Sequence, residues 1–391
     1  MAIPLKYNIR NLLVRKVTTL ATAGGITLVV LVTILLLSLV TGLKRTLVTT
    51  GSPDHLIVLR KGATSEASSF VRRDAVQALR YIPGIARTPE DEPLVSPELV
   101  VQPFLRSKAG SQQNVLIRGV TPQGFLFHNN VRFVAGRAPR PALGEAAVGV
   151  AISQRSQGAG LGDTLQFGRR TWSVVGIFTA DGSAFESEVW VDVDDLFNDA
   201  NRGGYSAVRL TIAPGADRDA LVRRIAEDPR ISLEAKSEVD YYREQSEGAD
   251  TLYFLTSVLA VIMGTGAIFG AMNTMFAAVA HRTAEIGTLR ALGFSRGAVL
   301  ASFVGESLCL ALIGYGGGVL LGAGAVTLVN VVMQGVAFQL PSFSTAVVTL
   351  RLSPFILLVA LGLAVLMGLL GGFLPARRAA RLRVTDALRR A

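Results

Sequence analysis

Four long stretches of this chain are free of charge or nearly so, and they set the frame for the rest. Residues 17–43 lie between Lys16 and Lys44, 251–280 between Asp250 and His281, and 352–376 between Arg351 and Arg377. From 297 to 349 the single charged residue is Glu306. A helix needs about 20 apolar residues to cross the hydrocarbon core, so each stretch predicts one spanning helix. The pattern places them at 17–43, 251–280, 298–333 and 352–376. Residues 334–351, which contain Pro341 and several Ser and Thr, read as a short loop. The first stretch is too long for a secretory signal and shows no small-residue cleavage site, so it is expected to stay as an anchor.

Between the first two spans, in 44–250, short apolar runs alternate with turn signals. Residues 56–59, 114–119, 147–150, 171–178, 188–193 and 208–212 read as strands. Residues 72–81 and 217–227 read as amphipathic helices, with Asp217 and Asp219 favouring the start of the second. The fold predicted is four transmembrane α-helices plus a large extracytoplasmic α+β domain of two subdomains, inserted between helices 1 and 2. In that domain the pieces at the two ends form one unit, and 90–201 is inserted into it.

Charge fixes the topology. The net charge of +10 would suit a nucleic-acid binder, but 44–250 holds 25 Lys/Arg against 26 Asp/Glu, and the remaining 14 basic residues cluster at the ends of the apolar runs. That is a membrane pattern, and no nucleic acid is expected. The N-terminal stretch, the 281–297 link and the 377–391 tail are all basic, so all three are placed in the cytoplasm, with both termini there.

Catalytic chemistry has little footing. His55, His128 and His281 are scattered without metal-ligand spacing, and the acidic groups at 90–92 and 192–195 read as solvated loop charges. Cys309, the one cysteine, reads as an apolar packer. A phosphate-cradling loop needs Gly-Lys, and that dipeptide does not occur. The link 281–297 is the informative stretch. Ile286, Leu289, Leu292 and Gly293 fall towards one helical face, Arg282, Glu285 and Arg290 elsewhere, and Gly293 ends the helix. Such a helix suits either docking into a cleft of a soluble partner or lying against lipid. Glu306, inside the third span, is costly unless it faces protein or water; it reads as a functional group or as a cap for a neighbouring helix. Gly314, Gly316, Gly317, Gly318, Gly322 and Gly324 signal close helix packing.

Five stretches carry a resemblance to the FtsX/MacB family of ABC-transporter permeases. Tyr7-Asn8-Ile9-Arg10-Asn11-Leu12 with Gly24-Gly25-Ile26 is similar to the family's N-terminal interfacial helix (here 1–16) and first span. Ile117-Arg118-Gly119-Val120-Thr121-Pro122 with Val134-Ala135-Gly136-Arg137, and Trp172-Ser173-Val174-Val175-Gly176-Ile177-Phe178, are similar to the MacB-type outer domain. Arg282-Thr283-Ala284-Glu285-Ile286-Gly287 with Arg290-Ala291-Leu292-Gly293 resembles the cytoplasmic link, and Pro375-Ala376-Arg377-Arg378-Ala379-Ala380 with Ala387-Leu388-Arg389 the C-terminal signature. The resemblance implies a non-catalytic subunit of the bacterial inner membrane. It would be a homodimer, or paired with a paralogue, on two copies of a cytoplasmic ABC ATPase. ATP and Mg would bind that ATPase, on a separate chain, and no cofactor or metal this one. A periplasmic adaptor and an outer-membrane channel are further candidate partners. The function implied is ATP-driven mechanotransmission for export or extraction of a lipid-like, lipoprotein, peptide or antimicrobial substrate. The alternative is an FtsX-like scaffold that activates a periplasmic cell-wall hydrolase without cargo.

Overall fold

The computed structural model describes residues 16–48, 50–128, 130–245, 247–332, 336–338 and 346–382. The interfacial helix expected at the N-terminus, most of the tail beyond Arg377 and much of the 334–351 loop lie outside the described residues.

The chain forms two compact units. The first is built from five helices: α1 (Lys16–Val48, as far as Thr41), α2 (Glu247–His281, from Asp250), α3 (Thr283–Ala291), α4 (Arg296–Val332) and α5 (Pro354–Ala380). All but α3 are long and apolar enough to cross a membrane, over Thr19–Thr46, Thr251–His281, Arg296–Val332 and Pro354–Ala380. Small residues bring their backbones together. On α4, Gly314, Gly318 and Gly322 recur every fourth residue and receive Ile26, Val30 and Ile34 of α1. A Cβ at Gly314 would sit 2.8 Å from that of Ile26, and one at Gly322 3.0 Å from Ile34 Cγ2. On α5, Gly368 faces Ala311 of α4 and Gly371 faces Ala271 of α2. Polar groups inside the bundle find partners: the Thr22 and Thr274 hydroxyls lie 2.7 Å apart, and Ser307 Oγ donates to the Gly368 carbonyl at 2.7 Å. The start of α5 follows from its sequence, since Ser353 Oγ accepts from Ile356 N and Pro354 supplies the preset first turn.

The second unit holds a ten-stranded sheet: β1 (His55–Arg60), β2 (Val95–Val101), β3 (Leu116–Val120), β4 (Arg132–Gly136), β5 (Glu145–Gly149), β6 (Thr164–Phe167), β7 (Arg170–Thr179), β8 (Glu188–Asp192), β9 (Ala207–Thr211) and β10 (Leu233–Ser237). Their order is β10-β1-β9-β2-β3-β8-β5-β7-β4, with β6 on β7. The pairs β3/β8 and β5/β7 are parallel and the others antiparallel. In β7 the strand period is plain, with Trp172, Val174 and Phe178 buried at every second position.

Strand β2 is the joint of the sheet. Its first half pairs with β9 and its second with β3. Two hydrophobic cores lie on either side of that joint. One gathers Leu56, Val76, Leu79, Leu210, Leu221 and Ile225, under the helices Arg73–Leu79 and Arg218–Glu227. The other gathers Leu99, Ile117, Val148, Trp172, Val191 and Leu196. Asp217 caps its helix as expected, accepting from Asp219 N and Ala220 N. The acidic run at 192–195 is not a solvated loop. Asp192 caps the helix Val193–Ala200, and Asp195 is buried and paired with Arg170 at 3.0 Å. The helix start consumes the Asp192 carboxylate, because it leaves backbone N–H groups that need acceptors, while Asp194 stays exposed.

Candidate functional site

Helix α3 is held between α2 and α4 by sequence features that can be named one by one. Arg282 precedes it, and Thr283 to Ala291 are helical. Gly293 ends it at φ +94, a left-handed conformation natural only to glycine. Phe294 N donates to Leu289 O and Gly293 N to Arg290 O, both at 3.2 Å, a Schellman cap. Ser295 then opens α4, its Oγ accepting from Ala298 N at 3.1 Å.

The structure splits the apolar set of this link. Ile286 is buried against Met275 and Val279 of α2, Val299 and Phe303 of α4, and Ala376 of α5. Leu289 is half-buried, and Leu292, just past the helix end, is 70% exposed. The face on which Ile286 sits is therefore occupied by the chain's own spans. Glu285, Thr288, Ala291, Leu292 and Gly293 are exposed; Arg290 is half-buried and donates to Phe294 O at 3.1 Å.

Glu306 and Arg282 find each other. Arg282 Nη1 donates to Glu306 Oε2 at 2.9 Å, and both side chains are buried. Arg282 Nε also donates to Glu285 Oε2 at 3.2 Å, and the guanidinium lies 5.1 Å from the Phe303 ring centroid. A carboxylate inside a span needs a partner; here it ties the start of α3 to the body of α4. Removing one member of such a pair costs about 3–5 kcal/mol, because the other is left buried and uncompensated.

A second constellation, in the sheet unit, was not flagged by the sequence. Two guanidiniums, Arg118 (β3) and Arg209 (β9), are fully buried among Glu66, Glu98 (β2), Glu188 (β8) and Glu238. Arg118 grips Glu188 bidentately at 2.8 and 2.9 Å and also reaches Glu66 and Glu98, the latter at 2.7 Å. Arg209 donates to Glu238 at 2.8 Å, Glu98 at 2.9 Å and Tyr242 Oη at 3.0 Å. Trp190 Nε1 donates to Glu188 at 2.7 Å. His128 and His55, which sequence left apart, both end here. His128 Nε2 lies 3.3 Å from Glu98, and His55 Nδ1 3.5 Å from Glu238 without hydrogen-bond geometry. Burial alone would raise the Glu98 carboxyl, but Arg209 and Arg118 outweigh it and hold it well below its ordinary value. The same contest leaves Glu238 lowered, with Arg209 the largest opposing charge. Burial opposes the charge on both arginines as well, and the carboxylates, Glu188 foremost for Arg118 and Glu98 for Arg209, keep them fully protonated. Among the described residues no His, Cys, Asp or Glu group is arranged to hold a metal ion.

Comparison with known proteins follows this division of the chain. The family description "MacB-like periplasmic core domain" matches residues 19–228, more than half of the chain, and "FtsX-like permease C-terminal" matches 257–384. The macrolide export ATP-binding/permease protein MacB of Chromobacterium violaceum is 36% identical over 145 residues, covering 37% of this chain and 20% of that protein. MacB of Neisseria meningitidis serogroup A is 26% identical over 246 residues, covering 58% of this chain and 35% of that protein. The chain thus spans about a fifth to a third of the length of these curated relatives. Among solved structures, the periplasmic region of MacB from Actinobacillus actinomycetemcomitans aligns with a TM-score of 0.38 at 13% identity, over 51% of this chain and 94% of that one. By its sheet domain and its spans alike, the chain belongs to the MacB/FtsX-like family of ABC-transporter permeases.

Proposed function

We propose that the chain is the membrane permease of an ABC exporter, and that it converts ATP hydrolysis on a partner ATPase into movement of its outer domain. The observation that carries the reading is the anchoring of α3. Its start is locked to α4 by Arg282 and Glu306 and its inner side is sealed by Ile286, while Leu292 and Thr288 stay exposed. A short helix so fixed to three spans transmits any push on its exposed side to all of them. The basic residues at both ends of the chain and in the link support a cytoplasmic position for α3, where two copies of the ATPase would dock. ATP and Mg belong to that partner. The relatives' names speak for export, and a lipid-like, lipoprotein, peptide or antimicrobial cargo suits a domain tethered at the membrane surface.

The test uses the purified chain with its ATPase. Leu292→Asp should abolish copurification, since a charge buried in a docking cleft is expensive. Glu306→Gln should keep the complex and lower coupled ATP turnover. Normal assembly in the first variant together with normal turnover in the second would refute the reading.

A further inference from the structure

The sheet unit carries a basic groove that the transport reading does not use. It encloses about 540 Å³ and is lined by Arg60 and Lys61 at the end of β1, Arg72 before the helix Arg73–Leu79, and Arg230 before β10, with Asp74 and Phe70. Three separate segments thus bring four cations and one carboxylate to one concavity. The domain around them is near neutral, with 25 basic and 26 acidic residues over 44–250, so the local excess is not a reflection of overall composition.

The frame of the groove is fixed by bonds from backbone N–H groups. Arg60 N donates to Ser69 Oγ at 2.9 Å, and Lys61 N to Ser232 O at 3.1 Å. Two of the cations are held in place by neighbours: Arg72 donates to Asp74 at 3.0 Å and Arg230 to Asp228 at 2.6 Å. Hydrogen bonding from Arg230 brings the Asp228 carboxyl down to about 2, so that pair stays ionised at any ordinary pH. The side chains of Arg60 and Lys61 make no ion pair among the described residues and are exposed. Phe70, 41% exposed, supplies an apolar wall beside them.

We infer that this groove binds a phosphate group carried on a partly apolar ligand. With Asp74 set against Arg72 and Asp228 against Arg230, the groove keeps an excess of two positive charges, those of Arg60 and Lys61. A carboxylate brings one negative charge, whereas a phosphate monoester brings about 1.5 to 2 at pH 7 with three acceptor oxygens. Arginine forks match those oxygens in pairs, and lysine supplies a mobile point charge. Phe70 then covers carbon next to the phosphate. Two sources offer this chemistry: the headgroup of an anionic lipid and a soluble phosphate ester.

The experiment uses the full chain in phosphatidylcholine nanodiscs and measures binding of pyrophosphate and of dihexanoyl phosphatidic acid, with dihexanoyl phosphatidylcholine as the neutral comparison. At least one phosphate probe should bind, and Arg60→Gln/Lys61→Gln should weaken it by roughly tenfold or more, as expected for the loss of charge-assisted hydrogen bonds. Arg169→Gln, an exposed arginine that does not line the groove, should leave binding unchanged. Binding of phosphatidic acid but not pyrophosphate identifies a lipid headgroup site; binding of pyrophosphate as well shows that the groove also takes soluble phosphate. Lys61→Gln alone, which removes no contact, repeats the test should the double variant melt early. Absence of binding by both phosphate probes, or equal affinity in wild type and the groove variants, overturns the inference.

Discussion

At the scale of single residues the protein is governed by buried charges in two places. Arg118 is the sharpest case, because its guanidinium answers three carboxylates and is itself fully buried. Arg118→Met would fill much of the volume but leave Glu66, Glu98 and Glu188 short of a counter-ion. We expect a loss of about 3–5 kcal/mol in the stability of the sheet unit. Denaturant unfolding followed by near-UV circular dichroism reads it directly, since Trp190 is bonded to Glu188; an unchanged midpoint would show that the cluster contributes little. Little of this was legible beforehand. Arg118 stands out in Ile117-Arg118-Gly119 as a charge between apolar neighbours, but its partners lie 20, 52 and 70 positions away along the chain. Pairing at such separations is decided by strand order, which local pattern does not encode. The Arg282–Glu306 pair was half legible: a carboxylate in a span demands a partner, and the nearest arginines were in the link.

At the scale of elements the glycines of α4 make a discriminating case. Sequence marked six of them as packing glycines without ranking them. The structure turns Gly314, Gly318 and Gly322 onto α1 and leaves Gly324 exposed with nothing within 4 Å of its Cβ position. Gly318→Leu should therefore force α1 and α4 apart, costing about 1–3 kcal/mol or more, while Gly324→Leu should be tolerated. Thermal melts of the two variants in detergent check this, and equal melting temperatures would contradict the packing. The spans themselves were legible because a bilayer demands long apolar runs. Strands such as β4, β6 and β10 were not, being short, polar in part and stabilised by neighbours far away in sequence. What covers the apolar face of α3 was left open for a related reason: an apolar stripe says that something covers it, not whether the cover is a partner or the chain's own spans.

At the scale of the whole molecule, acid should act on the sheet unit through the cluster at its centre. Glu98 and Glu238 are held below their ordinary value of 4.5 by the arginines. A carboxyl whose folded pKa is depressed contributes stability in full above its unfolded value and loses it as pH falls towards the folded one. The unfolding midpoint of the sheet unit should thus be level from pH 7 down to about 5 and decline below about 4.5. Tryptophan fluorescence during denaturant titration, repeated along a pH series, measures this; a midpoint unaltered at pH 3 would remove the carboxylates from the account.

The position of Glu238 has a mechanical side. The chain comes from α1 into β1 and leaves β10 for α2, and Leu56 pairs with Ser237, so both connections meet at one end of a single two-strand ladder. Tension that spread those two connections would load the ladder in the peeling direction, where hydrogen bonds give way one at a time. Glu238 stands at that end. It accepts from Ser52 N at 3.0 Å on the incoming strand's side and from Arg209 on the third strand, while Arg209 reaches on to Glu98 on the fourth. The buried guanidinium thus links four strands at that end, so a peeling load applied there would be shared across the sheet instead of falling on its edge ladder alone.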